Sequence, residues 1–258
     1  MSAVRPAVLL CAVLCLTAGC QTLAADRQQP ATPTTPAPVP TATGDLDVDG
    51  ERFARRHRRG IGNRTFTIRV SFTATYENGS SGTLRDRIVV GEGERYVRSR
   101  RYAGPFPRAA PNRTLWRDAS GTAVRQTFDN GSTAVRRGNR FVLNDPTLSR
   151  FLGRVVEGFD LTRTDAGRRL TGTDGDPGSL PVPRGFGDIR DSRLTVLVRD
   201  GIVRRLVVTY EGSLSRGGGT ATIRFDLSVV DVGETTVTEP AWVPAGNETS
   251  TNQTGTDA

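Results

Sequence analysis

Residues 192–212, SRLTVLVRDGIVRRLVVTYEG, decide the fold. Apolar and polar residues alternate in 192–200 and again in 202–212, which is the two-residue period of half-buried β-strands. Asp200-Gly201 between the two runs is a typical two-residue hairpin turn. The residues on the buried face are Leu194, Val196 and Val198 in the first strand and Val203, Leu206 and Val208 in the second.

The same period recurs along most of the chain. The run TFTIRVSFTATYE (65–77) places Phe66 and Phe72 on its apolar face, and the Gly-rich turn NGSSG (78–82) leads into a return strand at 83–93. Further alternating runs separated by Gly and Asn turns predict strands at 95–102, 114–118, 123–128, 133–137, 159–167, 168–174 and 220–233. The strands follow one another closely, so we expect a mostly antiparallel sheet of about nine to eleven strands.

Two segments have helical spacing instead. In 46–60 the pattern predicts a short helix with Leu46 and Phe53 buried and Gly60 as its C-cap. In 146–157 it predicts a second helix that follows Asp145 as N-cap. The expected fold is α+β, with a large antiparallel sheet that must curl at this strand number, forming a half-open barrel covered by two helices.

The N-terminus has the form of an export signal. Arg5 precedes the ten-residue apolar run 7–16, which is too short to span a bilayer as a helix. Leu16-Thr17-Ala18-Gly19-Cys20 resembles a lipobox, which implies that 1–19 are removed and that Cys20 carries the lipid. We therefore expect a lipid-anchored protein at the cell membrane that faces outside.

Composition divides the remainder into three parts. Residues 20–44 are rich in Pro and Thr and form a predicted tether, because such a segment cannot bury enough apolar surface to fold. The single folded domain is expected over 45–244, and 245–258 is a polar tail predicted to be disordered. Cys20 is the only cysteine left after processing, so the domain has no thiol chemistry.

Six of the eight asparagines begin an N-x-S/T sequon, which is more than composition predicts. They are Asn63, Asn78, Asn112, Asn130, Asn247 and Asn252. Surface glycosylation of at least one is expected in an exported protein. For the two N-G-S sequons, at Asn78 and Asn130, ordinary turn chemistry explains the motif equally well.

The charged residues exclude several reaction types. All 35 basic residues are arginine, so there is no Schiff-base, P-loop or kinase lysine, and His57 is the only histidine. Asp45 to Gly50 matches the first half of a calcium loop, but Arg56 stands where such a loop needs a bidentate glutamate. We expect no metal, no cofactor and no catalytic residue, and we expect Trp116 and Trp242 to be packing residues.

Arginine is concentrated in two short clusters, RRHRR (55–59) and RSRR (98–101), and the net charge is +8. Export argues against a nucleic-acid partner, and no aromatic residues are interleaved with the clusters to stack on bases. The remaining interpretations are an Arg-rich face that contacts anionic lipid heads or acidic polymers, and a solvated surface that binds nothing.

In the order of its motifs the chain resembles a family of uncharacterised haloarchaeal surface lipoproteins. The resemblance covers the lipobox, the tether, His57-Arg58, the strand GERYVR (93–98), the hairpin at 200–210 and the closing DVGETTVTEPAWV (231–243). That family looks like the half-open barrels of LolA- and LppX-type lipid and lipoprotein carriers, in which a curved sheet under helices holds acyl chains. The chain departs from the family in its positive charge.

The resemblance implies a non-enzymatic carrier that binds an apolar ligand or an acyl chain. The predicted pocket lies between the first strand, through Phe66, Ile68, Val70 and Phe72, and the middle helix, through Phe151, Leu152, Val155 and Val156. The alternative is an envelope adaptor that binds protein or acidic glycan through Arg55, Arg56, Arg58 and Arg59. A hydrolase is a third, less favoured class.

Overall fold

A computed structural model describes residues 45–46, 48–93, 95–107, 110–138, 143–164, 168–215 and 218–244. The chain divides into two units, 1–39 and 40–258, and the whole of the first lies outside the described residues. The predicted signal peptide, Cys20, tether and polar tail also lie outside the described residues, together with Asn247 and Asn252. They stay predictions.

Twelve strands form one antiparallel sheet in the described chain, and eleven of them have four residues or more. They are β1 (Asp45–Leu46), β2 (Phe66–Tyr76), β3 (Ser81–Val90), β4 (Tyr96–Ala103), β5 (Asn112–Asp118), β6 (Gly121–Thr127), β7 (Thr133–Arg137), β8 (Leu161–Thr164), β9 (Arg169–Thr173), β10 (Phe186–Arg199), β11 (Ile202–Leu214) and β12 (Thr220–Val230). Their order across the sheet is β1-β8-β9-β10-β11-β12-β2-β3-β4-β5-β6-β7. No pairing among the described residues joins β1 to β7, so the sheet is not closed. The predicted fold, a curved half-open sheet covered by two helices, is confirmed.

The hairpin that predicted the fold pairs as expected, with one irregularity. Val196 lies opposite Leu206, and a register shift after Leu197 then places Val198 opposite Val203. β10 begins at Phe186, six residues before the predicted start. The sequence did not predict this first half because apolar and polar residues do not alternate regularly there. Asp188 and Asp191 there have positive φ angles, and the register shifts on either side of Arg190.

The first helix, α1 (Gly50–Ile61), differs from the prediction at both ends. Leu46 belongs to β1, where it pairs with β8, rather than to the helix. The helix starts after Asp49, whose side chain accepts a hydrogen bond from the Arg52 N–H (2.9 Å), as an N-cap does. It ends at Ile61, and its C-cap is Gly62, two residues beyond the predicted cap, where a φ of +58° suits glycine.

The second helix, α2 (Ser149–Glu157), begins three residues later than predicted, because Leu148 takes a left-handed conformation (φ +55°) before it. Asp145 still caps this end. Its carboxylate accepts hydrogen bonds from the Ser149 Oγ (2.8 Å) and the Arg150 N–H (3.0 Å). The predicted N-cap position is therefore wrong, because Leu148 occupies it, but the Asp145 carboxylate still accepts a free backbone N–H of the first helical turn from three residues further back.

The two helices meet at a pair of glycines. A Cβ placed on Gly153 of α2 would lie 2.4 Å from the Gly50 carbonyl oxygen of α1 and 3.1 Å from the Ala54 Cβ. A Cβ on Gly50 would in turn lie 2.6 Å from the Gly153 carbonyl oxygen. Only residues without side chains allow this approach, so the small residues fix how α1 and α2 pack into one layer.

Phe225 of β12 defines the two faces of the sheet. Its ring contacts the Phe151 ring of α2, with centroids 5.6 Å apart, so the Phe225 side chain lies on the face that the helices cover, which we call the helix-side face. Residues paired with Phe225 on adjacent strands point to the same face, and the residues before and after each of them along its strand point to the opposite face. The helix-side face carries most of the buried core, including Ile68, Leu206 and Val208.

The closing segment, 231–244, crosses the opposite face. A backbone N–H at its start donates to the Thr65 carbonyl oxygen (2.7 Å), and the Arg137 guanidinium donates to the carbonyl oxygen of Pro244 at its other end (2.5 Å). Between these points it passes Gly91, where a Cβ would lie 2.9 Å from a valine of the segment. Trp116, on the same face, is buried and is a packing residue, as predicted.

Candidate apolar ligand site

Three phenylalanines form a cluster where α2 meets the sheet. The Phe72 and Phe225 rings lie 4.7 Å apart between centroids, and the Phe151 ring of α2 completes the cluster. Phe225 is buried, but Phe72 and Phe151 are half-exposed, as is Val70 beside them. We call these four residues the α2 seam. Apolar surface continuous with the core therefore reaches solvent along the seam.

The structure brings the eight predicted pocket residues into one hydrophobic core. Five are fully buried, with exposed fractions of 0–2%: Phe66, Ile68, Leu152, Val155 and Val156. The other three, Val70, Phe72 and Phe151, form the exposed part of the α2 seam. The facing side chains of strand and helix pack against one another, so a ligand would enter between them only if α2 moved away from the sheet. The pocket stays a prediction.

An open recess lies at the end of the sheet away from the helices, and we call it the end recess. Its volume is about 690 Å³. Its lining includes Tyr76, Pro105, Phe106, Pro107, Gly185 and Leu214. This volume lies within the range of about 300–1,000 Å³ that ligand pockets occupy, and a mostly apolar lining is usual in such pockets.

The loop at 104–107 builds the wall of the end recess. Phe106 turns inward and contacts the rings of Tyr102 and Phe186, at centroid distances of 5.9 and 6.3 Å. The loop can lie on β3 because Gly82 has no side chain there, and a Cβ would be 2.5 Å from the Pro105 carbonyl oxygen. The Tyr76 hydroxyl donates to the same oxygen and so fixes the loop to β2.

None of the recess residues belongs to the predicted ligand pocket, although Asn78, one of the predicted glycosylation sites, is part of its lining. Loop residues follow no period, so strand and helix patterns do not identify them. The signal that could have identified the wall is the aromatic residue between two prolines in Pro105-Phe106-Pro107. Its contact with Phe186, 80 positions later in the chain, has no local signal at all.

A second recess, of about 310 Å³, lies between α1 and the sheet. Phe53 of the helix and Leu170 and Val203 of the sheet contribute apolar side chains to its lining. Arg52 and Arg56 also line it. We call it the α1 recess, and it is less than half the size of the end recess.

His57 is a packing residue rather than a base. Its Nε2 donates to the Thr147 carbonyl oxygen (3.2 Å) and its Nδ1 accepts from the Val203 N–H (3.1 Å), which fixes the neutral tautomer. Burial lowers the pKa of His57 below 6.5, against the smaller opposing effects of Thr147 and Asp145. The side chain therefore joins α1 to β11 and to the segment before α2.

The two arginine clusters of the sequence do not form two surfaces. In α1, Arg55 pairs with Glu51 (2.9 Å), and the Arg58 guanidinium donates to the Ser149 Oγ of α2 (2.9 Å). In β4, alternate residues point to opposite sides of the sheet, so the cluster at 98–101 is divided between them.

Arg98 and Arg100 point to the helix side, where both bind one buried carboxylate. Asp86 has a side chain only 5% exposed, and its oxygens accept from Arg98 (2.5 Å) and from Arg100 (2.7 Å). This triad lies beside Val70, which is in register with Asp86 on β2. The triad is a structural ion pair network, because the carboxylate is satisfied by both guanidinium groups.

No group of three or more histidine, cysteine or acidic side chains that could hold a metal ion occurs within the described residues. Within the same residues no helix is long and apolar enough to cross a membrane. Asp49, from the sequence that matches half a calcium loop, uses its carboxylate to cap α1.

Four of the six sequons lie in the described chain. Asn63, Asn78 and Asn130 are exposed, whereas Asn112 is half-buried and its Oδ1 accepts from the Tyr102 N–H (3.0 Å). In the two N-G-S turns the asparagine Oδ1 accepts from the serine N–H and hydroxyl, which is the turn chemistry considered as the alternative.

No protein-family model matches the chain, and no curated protein is similar to it in sequence. Several solved structures are similar to the chain, and the two described next are similar over most of its length. LprF from Mycobacterium bovis is 13% identical, with a TM-score of 0.41 over 76% of this chain and 98% of that one. The LolA superfamily protein NE2245 from Nitrosomonas europaea is 10% identical, with a TM-score of 0.27 over 75% and 96%. Both scores are too low to support a function, so a function has to rest on the sequence and geometry of this chain.

Proposed function

We propose that this protein is an extracytoplasmic lipoprotein, anchored to the cell membrane through Cys20 and facing outside, that binds or carries an apolar ligand or an acyl chain. The half-open sheet supplies a long apolar face, and two short helices and the 104–107 loop cover it only in part. A carrier needs such a face, because an acyl chain can be held only where it is shielded from water.

The observation that carries the proposal is the end recess. It provides about 690 Å³ of space beside Phe106, Tyr76 and Leu214 without any movement of the fold. Half-exposed apolar side chains in a concave site cost free energy in water, and an apolar ligand would recover it at about 25 cal/mol per Å² covered. The ligand is proposed to bind there first and to reach the α2 seam only if α2 moves.

The environments of His57 and Asp86 favour binding without catalysis. The single histidine has both ring nitrogens engaged in the core. Asp86 is the buried carboxylate near the α2 seam, and it pairs with two arginines. Neither group is placed to act as a general base.

The test measures uptake of a fluorescent fatty acid by the full chain. The chain is used as its Cys20→Ser variant, which lacks the predicted lipid anchor and therefore needs no detergent. Leu214→Glu places a carboxylate in the end recess, and Phe53→Glu places one in the α1 recess. Leu197→Glu is the matched control, because Leu197 is 39% exposed on the opposite face. We expect loss of uptake in Leu214→Glu alone.

Two results would count against the proposal in different ways. If Phe53→Glu abolishes uptake and Leu214→Glu does not, the ligand binds under α1 and the assignment of the site is wrong. If the unmodified chain takes up no fatty acid and carries no lipid in native mass spectrometry, the carrier function itself is wrong.

The second candidate is the envelope adaptor that binds protein or acidic glycan through an Arg-rich face. The observation that favours it is not the predicted cluster on α1, where Arg55 and Arg58 have partners within the helix layer. It is a group of exposed arginines on the opposite face of the sheet.

A further inference from the structure

Four arginines form a compact group on the opposite face, at the centre of the sheet. Arg69 of β2 lies directly opposite Arg87 of β3, and Arg85 of β3 lies directly opposite Arg101 of β4. Adjacent strands are about 4.8 Å apart, and alternate residues along a strand about 7 Å apart. The four guanidinium groups therefore start from backbone positions within one small area, which we call the Arg grid.

The Arg grid is exposed and has little compensating negative charge. All four residues are exposed, and the nearest carboxylate to Arg69 is that of Asp231, at 3.9 Å. Asp226, on the neighbouring strand β12, already accepts from Arg205 (2.6 Å) and Arg224 (3.0 Å).

Among the described residues, Arg85, Arg87 and Arg101 form no ion pair. Like charges directly opposite each other on a sheet are destabilising. The Arg grid places two such pairs side by side, although the same strands satisfy Arg98 and Arg100 with Asp86 on the other face. This arrangement costs stability in the free protein, and a bound anion would remove that cost.

A recess of about 460 Å³ lies over the Arg grid. Its lining also includes Ser71, Ser99, Ser228 and Asp226. In the register of β12, β2, β3 and β4, these residues and the four arginines form two neighbouring rows, Ser228-Arg69-Arg87-Ser99 and Asp226-Ser71-Arg85-Arg101. Serine hydroxyls donate and accept hydrogen bonds, and guanidinium groups bind carboxylate or sulfate in a bidentate way. The site thus combines closely spaced cations with hydroxyl partners for a polar ligand.

We propose that the Arg grid binds an acidic polysaccharide, one that carries carboxylate or sulfate groups on successive sugars; this rests on the second candidate function and names its ligand. A polymer matches the site because it presents several anions to neighbouring arginines at once. No aromatic residue lines the recess to stack on bases, as a nucleic-acid site would need. The large exposed apolar residues of the described chain, Phe128 and Leu197, lie outside the recess, so nothing in it would insert into a membrane.

The experiment measures binding of the full Cys20→Ser chain to dextran sulfate and to polygalacturonate, with neutral dextran and phosphatidylglycerol vesicles as comparisons. The test variant is Arg85→Gln/Arg87→Gln/Arg101→Gln. The control is Arg55→Gln/Arg56→Gln/Arg59→Gln, which removes the same charge from exposed residues of α1.

An exposed charged contact typically changes affinity by a factor of about 2–5, so loss of three predicts binding weakened roughly tenfold or more. The control is expected to bind within about twofold of the unmodified chain. The test variant is also expected to unfold at equal or higher urea concentration, since it relieves repulsion between opposite arginines.

Three results would overturn the assignment. Equal weakening by both variants would mean that net charge alone drives binding. Binding to vesicles but to neither acidic polymer would mean a membrane-facing surface. A test variant that is less stable than the unmodified chain would mean that the Arg grid stabilises the sheet and has no need of a ligand. None of these outcomes affects the fatty-acid test, which depends on the other face.

Discussion

Replacing Gly153 by alanine tests the contact that makes α1 and α2 one layer. In an exposed helix this change would stabilise the fold by about 1 kcal/mol, because alanine has the higher helix propensity. Here the new Cβ would lie 2.4 Å from the Gly50 carbonyl oxygen, about 1 Å inside normal contact. The helices must separate, and overpacking of this kind costs about 1–3 kcal/mol.

The upper end of that range applies, because the obstacle is backbone and cannot rotate away. Subtracting the gain in helix propensity leaves a net loss of about 2 kcal/mol. For a domain of about 200 residues this corresponds to a melting temperature lower by roughly 4–8 °C. Urea unfolding followed by circular dichroism measures it, and the midpoint is expected to fall while the slope stays unchanged.

Gly187→Ala is the matched control. Gly187 lies in β10, and the nearest atom to its added Cβ is the Ser213 Oγ, at 3.8 Å, an ordinary contact. This variant is expected to match the unmodified chain within about 0.5 kcal/mol. If Gly153→Ala is as stable as Gly187→Ala, or more stable than the unmodified chain, the two helices do not meet at the glycines.

Three further predictions follow from the described contacts. Burial holds the pKa of His57 below 6.5, so the unfolded chain binds the extra proton first as the pH falls. The free energy of unfolding should therefore decrease below about pH 6.5, and His57→Gln should remove this dependence in urea titrations between pH 5 and 7. Arg98→Leu leaves the 5% exposed Asp86 with Arg100 as its one guanidinium partner and should cost about 2 kcal/mol in chemical denaturation, whereas Arg101→Leu in the same motif should change stability by less than about 0.5 kcal/mol. Glycopeptide mass spectrometry should find Asn63 modified and the engaged Asn112 unmodified, and equal occupancy would contradict this.

Most of the sheet could be predicted from the sequence because its strands are half-buried. In β2 and β11 one face lies in the core and the other in solvent, so apolar and polar residues alternate and the period is visible. The first half of β10 could not be predicted, because two aspartates with positive φ interrupt the alternation. β1 is too short, at two residues, to show any period.

The sites were harder to predict than the strands, since they depend on contacts between distant segments. The predicted pocket residues of strand and helix do face one another, as the sequence pattern indicated. Whether a cavity lies between them depends on side-chain packing, which the pattern of apolar residues does not reveal. The end recess depends on Phe106 reaching Phe186 across the sheet. The Arg grid depends on pairing of β2, β3 and β4, so residues 69, 85, 87 and 101 look unrelated along the chain.

The motif RSRR shows the same limit most clearly. As a sequence it indicates one basic cluster, yet β4 directs its members to two sides of the sheet. Arg98 and Arg100 share the carboxylate of Asp86 on the helix side, and Arg101 joins the Arg grid on the opposite face. Charge counted along a strand therefore overestimates the basic surface, and the cross-strand register has to be known to find the real one.

The central claim is that the helix-side face holds an apolar ligand, and native mass spectrometry tests it most directly. The full Cys20→Ser chain, purified without detergent and incubated with a saturated fatty acid, is predicted to show the mass of the complex. The Leu197→Glu variant should show the same complex, and Leu214→Glu should show only the free protein. A spectrum of the unmodified chain that contains only free protein, at every fatty-acid concentration used, would contradict the claim.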